Sequence, residues 1–192
     1  MVIKWYLKML KDYPFRVQPF TTCLLFAIGD YISQFIANSK LNKLNPNNHN
    51  NYSNNWKRTS SQCSFGFLIS PLLVINHRFI VPKLFHNKMK LRLLKFLLYD
   101  CTCVTIPFQI SYFSYFSFLL NGYVDKEYVL YNFKRSYSRY FLFWPYFMGL
   151  NFTFINPEYR VLTSNFAAIF WQAYMSYLSN NYKKLDFTIK ND

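Results

Sequence analysis

Two carboxylates interrupt runs that otherwise carry no charge. Asp30 is the only charged residue between Arg16 and Lys40, and Asp100 is the only one in residues 96–121. Gln34 follows Asp30 by four residues, which places both on one face if the segment is helical. Arg160 lies at the junction of two more uncharged runs, 140–156 and 161–182, which contain the amides Asn151 and Gln172. An ionised group within a membrane costs about 2.5–3.5 kcal/mol on insertion scales, so it should face the interior and find a partner. Asp30, near the middle of its run, is the leading candidate for a functional charge. Asp100 lies close to the start of its run and can snorkel to water. Arg160 is placed to pair with an acid, which the sequence does not identify.

Other chemistries find no support in the residues present. No grouping of Ser, His and acid marks a nucleophile with its base, so no catalytic residues are assigned and no enzyme is expected. The three histidines, at 49, 77 and 86, have no metal-ligand spacing, and Cys23, Cys63, Cys101 and Cys103 do not match a zinc pattern. The cysteines are read as small hydrophobes. With four glycines in the whole chain, a phosphate-cradling loop is implausible. No metal and no cofactor is expected.

The elements that would carry these side chains are membrane helices. The 192 residues are 52% hydrophobic and 22% aromatic, with only 16% charged, against about 25% charged in a soluble domain. Mean hydropathy is only -0.02, because a very polar stretch around residues 42–55 and the many Tyr and Asn residues offset the apolar runs. The net charge of +14 raises nucleic-acid binding as a reading. The Lys and Arg residues instead fall mostly between the uncharged runs, as loop charges of membrane proteins do, so no nucleic-acid partner is expected.

The fold class read from these patterns is all-α, an integral membrane bundle forming a single domain over residues 1–192. Residues 3–13 form an amphipathic helix, with Trp5, Met9 and Tyr13 on one face, suited to lying at a membrane surface and ended by Pro14. Spans follow at 17–39, 59–77, 96–121 and 140–156, given that a bilayer takes about 20 residues of helix. Residues 161–182 are a fifth span or an interfacial helix, with Pro157 favouring a break before them. Residues 41–58 are a flexible polar loop, and 125–139 a mixed-charge connector. Each span carries small or polar residues at helical spacing. They are Thr22, Cys23, Gly29, Asp30, Ser33 and Gln34 in the first, and Gln62, Gly66, Ser70 and His77 in the second. In the third they are Asp100, Cys103, Ser111 and Ser114, and in the last Asn165, Ala168, Gln172, Ser176 and Ser179. Such stripes either pack helix on helix or converge on a hydrophilic path.

The motifs resemble those of the Mpv/PMP family, small membrane proteins of the mitochondrial inner membrane and the peroxisome. Trp5-Tyr6-Leu7-x-x-Leu10-x-x-Tyr13-Pro14, followed by Gly29-Asp30-x-x-x-Gln34, is similar to the family's opening. Trp144-Pro145, Asn151-Phe152, Arg160-Val161-Leu162, Trp171 and Tyr177-Leu178-Ser179 are similar to its closing motif. The chain departs from the pattern elsewhere. Ser70-Pro71 stands for the family's Gly-Pro, Val74 for its His, Asp100-Cys101 for its Asp-Gln, and Met148 for a Gln.

The resemblance implies a helical bundle of about four spans in the mitochondrial inner membrane, with the peroxisomal membrane as the alternative. It implies the channel activity and metabolite passage linked to the family. The expectation is a channel or solute pore along the polar faces, with Asp30 setting charge preference. The alternative is a non-catalytic subunit of a larger membrane complex, which the motif departures favour. Membrane lipids are the expected partners, together with further copies of the chain or a large complex.

Overall fold

A computed structural model describes residues 2–44, 55–85, 91–156 and 159–189. Among these residues all regular structure is helical. The helices are α1 (Val2–Asp12), α2 (Pro14–Leu44), α3 (Trp56–Ile75), α4 (Val81–Leu84), α5 (Arg92–Tyr99), α6 (Thr105–Asn121), α7 (Lys126–Phe154) and α8 (Arg160–Ile189). Two π-helical segments join neighbours end to end, Asn76–Ile80 between α3 and α4 and Asp100–Val104 between α5 and α6. Among the described residues three helical stretches are long and apolar enough to cross a membrane: Pro14–Ser39, Trp56–Leu84 and Arg92–Asn121. They coincide with the first three expected spans.

Two boundaries differ from the expectation for physical reasons. The polar loop at 41–58 is shorter at both ends: α2 runs to Leu44 and α3 begins at Trp56, while residues 45–54 lie outside the described residues. The connector at 125–139 is instead the first half of α7. Asp125 starts that helix, its Oδ1 accepting from the backbone N–H of Glu127 at 2.9 Å and Tyr128 at 3.3 Å, as an N-cap does. Tyr128, Asn132, Ser136 and Tyr140 then recur every fourth residue and are all buried, a stripe that holds the charged segment helical. The break between α7 and α8 falls where it was expected, although Pro157 itself lies outside the described residues.

By their contacts the helices fall into two units, residues 1–71 with 165–180 and residues 72–164 with 181–192. In the first, α2 and α3 run antiparallel. The pairs Asp30 with Arg58, Cys23 with Cys63, and Phe20 with Phe67 advance along α3 as they retreat along α2. α8 runs parallel to α2: Tyr6 of α1 links Thr21 of α2 to Asn165 near one end, and Asp30 reaches Ser176 further on. Glycine sets both approaches. A Cβ on Gly29 would lie 2.6 Å from the Cβ of Gln172, and one on Gly66 would lie 3.0 Å from the carbonyl oxygen of Thr22. Cys23 and Cys63 form a disulfide at the α2–α3 contact, so these two are a covalent cross-link and not simply small hydrophobes.

In the second unit, α6 and α7 form an antiparallel hairpin. Gly122, at φ +78°, closes α6 in the left-handed conformation that glycine adopts at little cost. Ser117, Gln109 and Asp100 accept in turn from the backbone N–H of Asp125, the hydroxyl of Ser136 and the hydroxyl of Tyr140. Tyr112 and Phe113 are fully buried beside Phe116 and Tyr128.

Candidate functional site

Asp30 is fully buried and is the centre of a polar cluster in the first unit. Its Oδ1 accepts from Arg58 Nε at 2.6 Å and from the hydroxyl of Ser176. Its Oδ2 accepts from Gln34 Nε2 and Thr59 Oγ1, both at 2.6 Å. Four donors from three helices therefore surround one carboxylate, filling the acceptor sites that burial would otherwise leave open. Arg58 completes its fork on Ser176 Oγ at 2.8 Å and Ser33 Oγ at 3.0 Å. Gln34 turns its other end to the backbone N–H of Asn55, at 2.7 Å. The Arg58 side chain keeps 17% of its surface exposed while Asp30 keeps none, so the pair is reached from the cation's side.

Local sequence explains the assembly. Asp30 and Gln34 are one turn apart on α2, Arg58 and Thr59 open α3, and Gly29 admits α8 closely enough for Ser176 to reach the carboxylate. Arg58 is the residue that sequence reasoning missed. It falls in the stretch read as a loop, and the Asn-rich connection hid the register that sets it opposite Asp30. The available signal was its position at the very edge of the second uncharged run.

More polar groups continue along this unit. Gln62, Gly66 and Ser70 lie four apart on α3, with Gln62 and Ser70 buried. Ser70 Oγ and Gln172 Oε1 are buried without a protein hydrogen-bond partner. A buried polar atom left so costs about 1–3 kcal/mol. Ser179, also buried, donates to the carbonyl of Ser176 at 3.1 Å. Leu178 and Trp171 are buried too, so the closing motif is mostly packing surface. Trp5 and Tyr13 are 62% and 51% exposed, and Pro14 starts α2.

The second unit holds its own carboxylate differently. Asp100 is half-buried at the head of the π-helical segment and accepts the hydroxyl of Tyr140. Tyr137 donates to the carbonyl of Cys101 at 3.1 Å, and Trp144 stacks on Tyr140 with Pro145 one residue on. The polar stripe expected for this span is not the buried one. Cys103 and Ser111 are exposed and Ser114 half-buried, whereas Thr105, Gln109 and Ser117 are buried. The π-helical segment is the cause, because it places extra residue in the turn and rotates everything after it relative to Asp100. Gln109 accepts from Ser136 Oγ at 2.6 Å, while its Nε2 finds no protein partner.

Arg160 pairs with no acid in these contacts. Its guanidinium donates to the carbonyls of Phe152 at 2.8 Å and Ile155 at 3.0 Å, and lies 4.7 Å over the Phe152 ring. It therefore caps the C-terminal end of α7, where carbonyls lack intrahelical partners. Asn151 is buried beside it, donating to Ser164 Oγ at 3.0 Å and accepting from Thr163 Oγ1 at 2.7 Å. Both residues clasp the α7–α8 corner. Among the described residues no three His, Cys, Asp or Glu side chains gather as a metal site.

Comparison with known proteins points to the same family. The family model described as Mpv17 / PMP22 matches residues 126–176, from the start of α7 into α8. Over that segment, and through relatives that span most of its length, the chain is similar to the Mpv17/PMP22 family. It is 28% identical to the mitochondrial inner membrane protein Mpv17 of Danio rerio, over 91% of this chain and 95% of that protein. It is 25% identical to protein SYM1 of Yarrowia lipolytica, over 93% of this chain and 81% of that one. The Xenopus laevis Mpv17 is 27% identical over 91% of this chain and 95% of its own length. Both vertebrate relatives are named as mitochondrial inner membrane proteins, and this chain is a protein of that membrane. No solved structure matches it.

Proposed function

We propose that the protein is a channel or solute pore of the mitochondrial inner membrane, described here in a closed arrangement. The observation that carries this reading is the line of buried polar side chains in the first unit. It starts at the Asp30–Arg58 pair and continues to groups such as Ser70 and Gln172, whose polar atoms are not satisfied by protein. In hydrocarbon such atoms draw water, and water along a helix seam is the beginning of a path. The Asp30–Arg58 pair then serves as a latch. With the acid neutralised by its partner, the closed form offers no net charge there. Opening separates the pair and exposes both charges to the path.

In the same reading α1 lies at the membrane surface. The apolar second half of α7 is a fourth span, and α8 is a fifth span or an interfacial helix, which gives four or five membrane helices in all. Nothing in this reading calls for catalysis. Conductance of the purified protein in planar bilayers tests it. Discrete openings support a pore, and a silent bilayer with folded, inserted protein overturns it.

A second reading, a structural subunit of a larger membrane complex, is favoured by the complete hydrogen bonding of Asp30 itself. Migration on native gels after mild detergent extraction separates the two. Quantitative co-migration with a large complex supports the subunit reading, and migration alone or as a small oligomer supports the pore.

A further inference from the structure

The junction of α1 and α2 carries a groove that neither the pore nor the subunit reading uses. It has a volume of about 410 Å³ and is lined by Tyr6, Arg16, Val17, Phe20, Thr21 and Leu24, within the ~300–1,000 Å³ of ordinary ligand sites. Val17, Phe20 and Leu24 follow one face of α2 at helical spacing and lead from the start of the Pro14–Ser39 span into it. The polar atoms in the wall are already engaged. Tyr6 OH donates to Thr21 Oγ1 at 3.3 Å and accepts from Asn165 Nδ2 at 3.2 Å. The ligand is therefore asked for an apolar body along this wall.

Its charge is set at the other end. Arg16 is exposed at the head of the span, with its guanidinium 5.9 Å from the Tyr13 ring. Among the described residues it makes no ion pair. Lys8 and Lys11 are exposed on the adjacent helix. A planar cation at headgroup level matches a phosphate diester, which it can hold through two parallel hydrogen bonds. An acyl chain matches the wall below. A free phosphate would leave the apolar wall unused, and a zwitterionic lipid would set its own cation beside Arg16, Lys8 and Lys11.

We infer that this groove seats one anionic phospholipid, its phosphate on Arg16 and an acyl chain along Val17, Phe20 and Leu24. The inference rests on the membrane location alone and stands whether or not the protein conducts. The test is photolabelling of the full chain in phosphatidylcholine nanodiscs containing phosphatidylglycerol with a diazirine on its acyl chain. Label is expected on the segment 17–24. It should fall on the order of five-fold in Arg16→Gln, the loss expected for one cation near a lipid surface, and fall less in Arg16→Lys, which keeps the charge but not the two parallel hydrogen bonds. Leu24→Trp fills the wall and should remove label from the segment while Arg16 is intact. Excess inorganic phosphate should not displace it. Equal labelling by a phosphatidylcholine probe, an unchanged Arg16→Gln, an unchanged Leu24→Trp, or displacement by inorganic phosphate would each overturn the inference.

Discussion

The two carboxylates within the spans are held in opposite ways. Asp30 is sealed from solvent and takes four donors from three helices, one of them a cation. Asp100 is half-buried at the start of a π-helical segment and takes the hydroxyl of a tyrosine on the facing helix. The first arrangement ties helices from distant parts of the chain, since Arg58 and Ser176 are 118 residues apart. The second belongs to a hairpin whose strands of helix are joined by the short turn at Gly122. A buried charge at a junction of three helices is costly to disturb. A carboxylate near the start of its span can use water when its partner is lost.

That contrast predicts a graded series of losses. Arg58→Met should be the most damaging single change, because it leaves Asp30 buried without its cation. Removing one partner of a buried pair costs about 3–5 kcal/mol, to be read from unfolding of the purified protein in detergent. The double change Asp30→Asn with Arg58→Met should recover part of the loss. No recovery would mean that the two side chains are not energetically coupled. Tyr140→Phe removes a hydrogen bond to a charged group in the second unit and should cost about 1.5–3 kcal/mol; a loss as large as that of Arg58→Met would erase the distinction between the units.

Two glycines sharpen the comparison at the level of packing. Gly29→Ala places a methyl group 2.6 Å from Gln172 Cβ and 2.9 Å from the backbone nitrogen of Ala173, neither of which moves easily. Overpacking of this kind costs about 1–3 kcal/mol, and it should also loosen Ser176 from Asp30. Gly122→Ala meets nothing within 4 Å but stays at φ +78°, so its cost of about 1–2 kcal/mol is conformational alone. If Gly122→Ala proves worse than Gly29→Ala, close helix approach is not what holds the first unit.

Much of this was legible in the chain. Uncharged runs bounded by Lys and Arg located the first three membrane-length helices. The spacing of Asp30 and Gln34 placed them together on one face of α2. What stayed hidden has physical causes. The register between α2 and α3 is set by Gly66 and by contacts across a long connection, so Arg58 could not be placed opposite Asp30. The π-helical segment at Asp100–Val104 breaks the periodicity that the polar stripe of α6 was read from, so Gln109 and Ser117 were passed over for Ser111 and Cys103. Arg160 drew attention as a charge among apolar residues, yet its partners are backbone carbonyls, which no pattern of side chains reveals.

The latch at Asp30 and Arg58 is tested most directly by single-channel recording of Asp30→Asn in planar bilayers beside the unaltered protein. Neutralising the acid removes the ion pair that joins α2 to α3 and weakens the contact with α8, so open probability should rise severalfold, with ion preference shifting toward anions as Arg58 is freed. Openings of the same frequency and the same ion preference in both proteins would contradict the account.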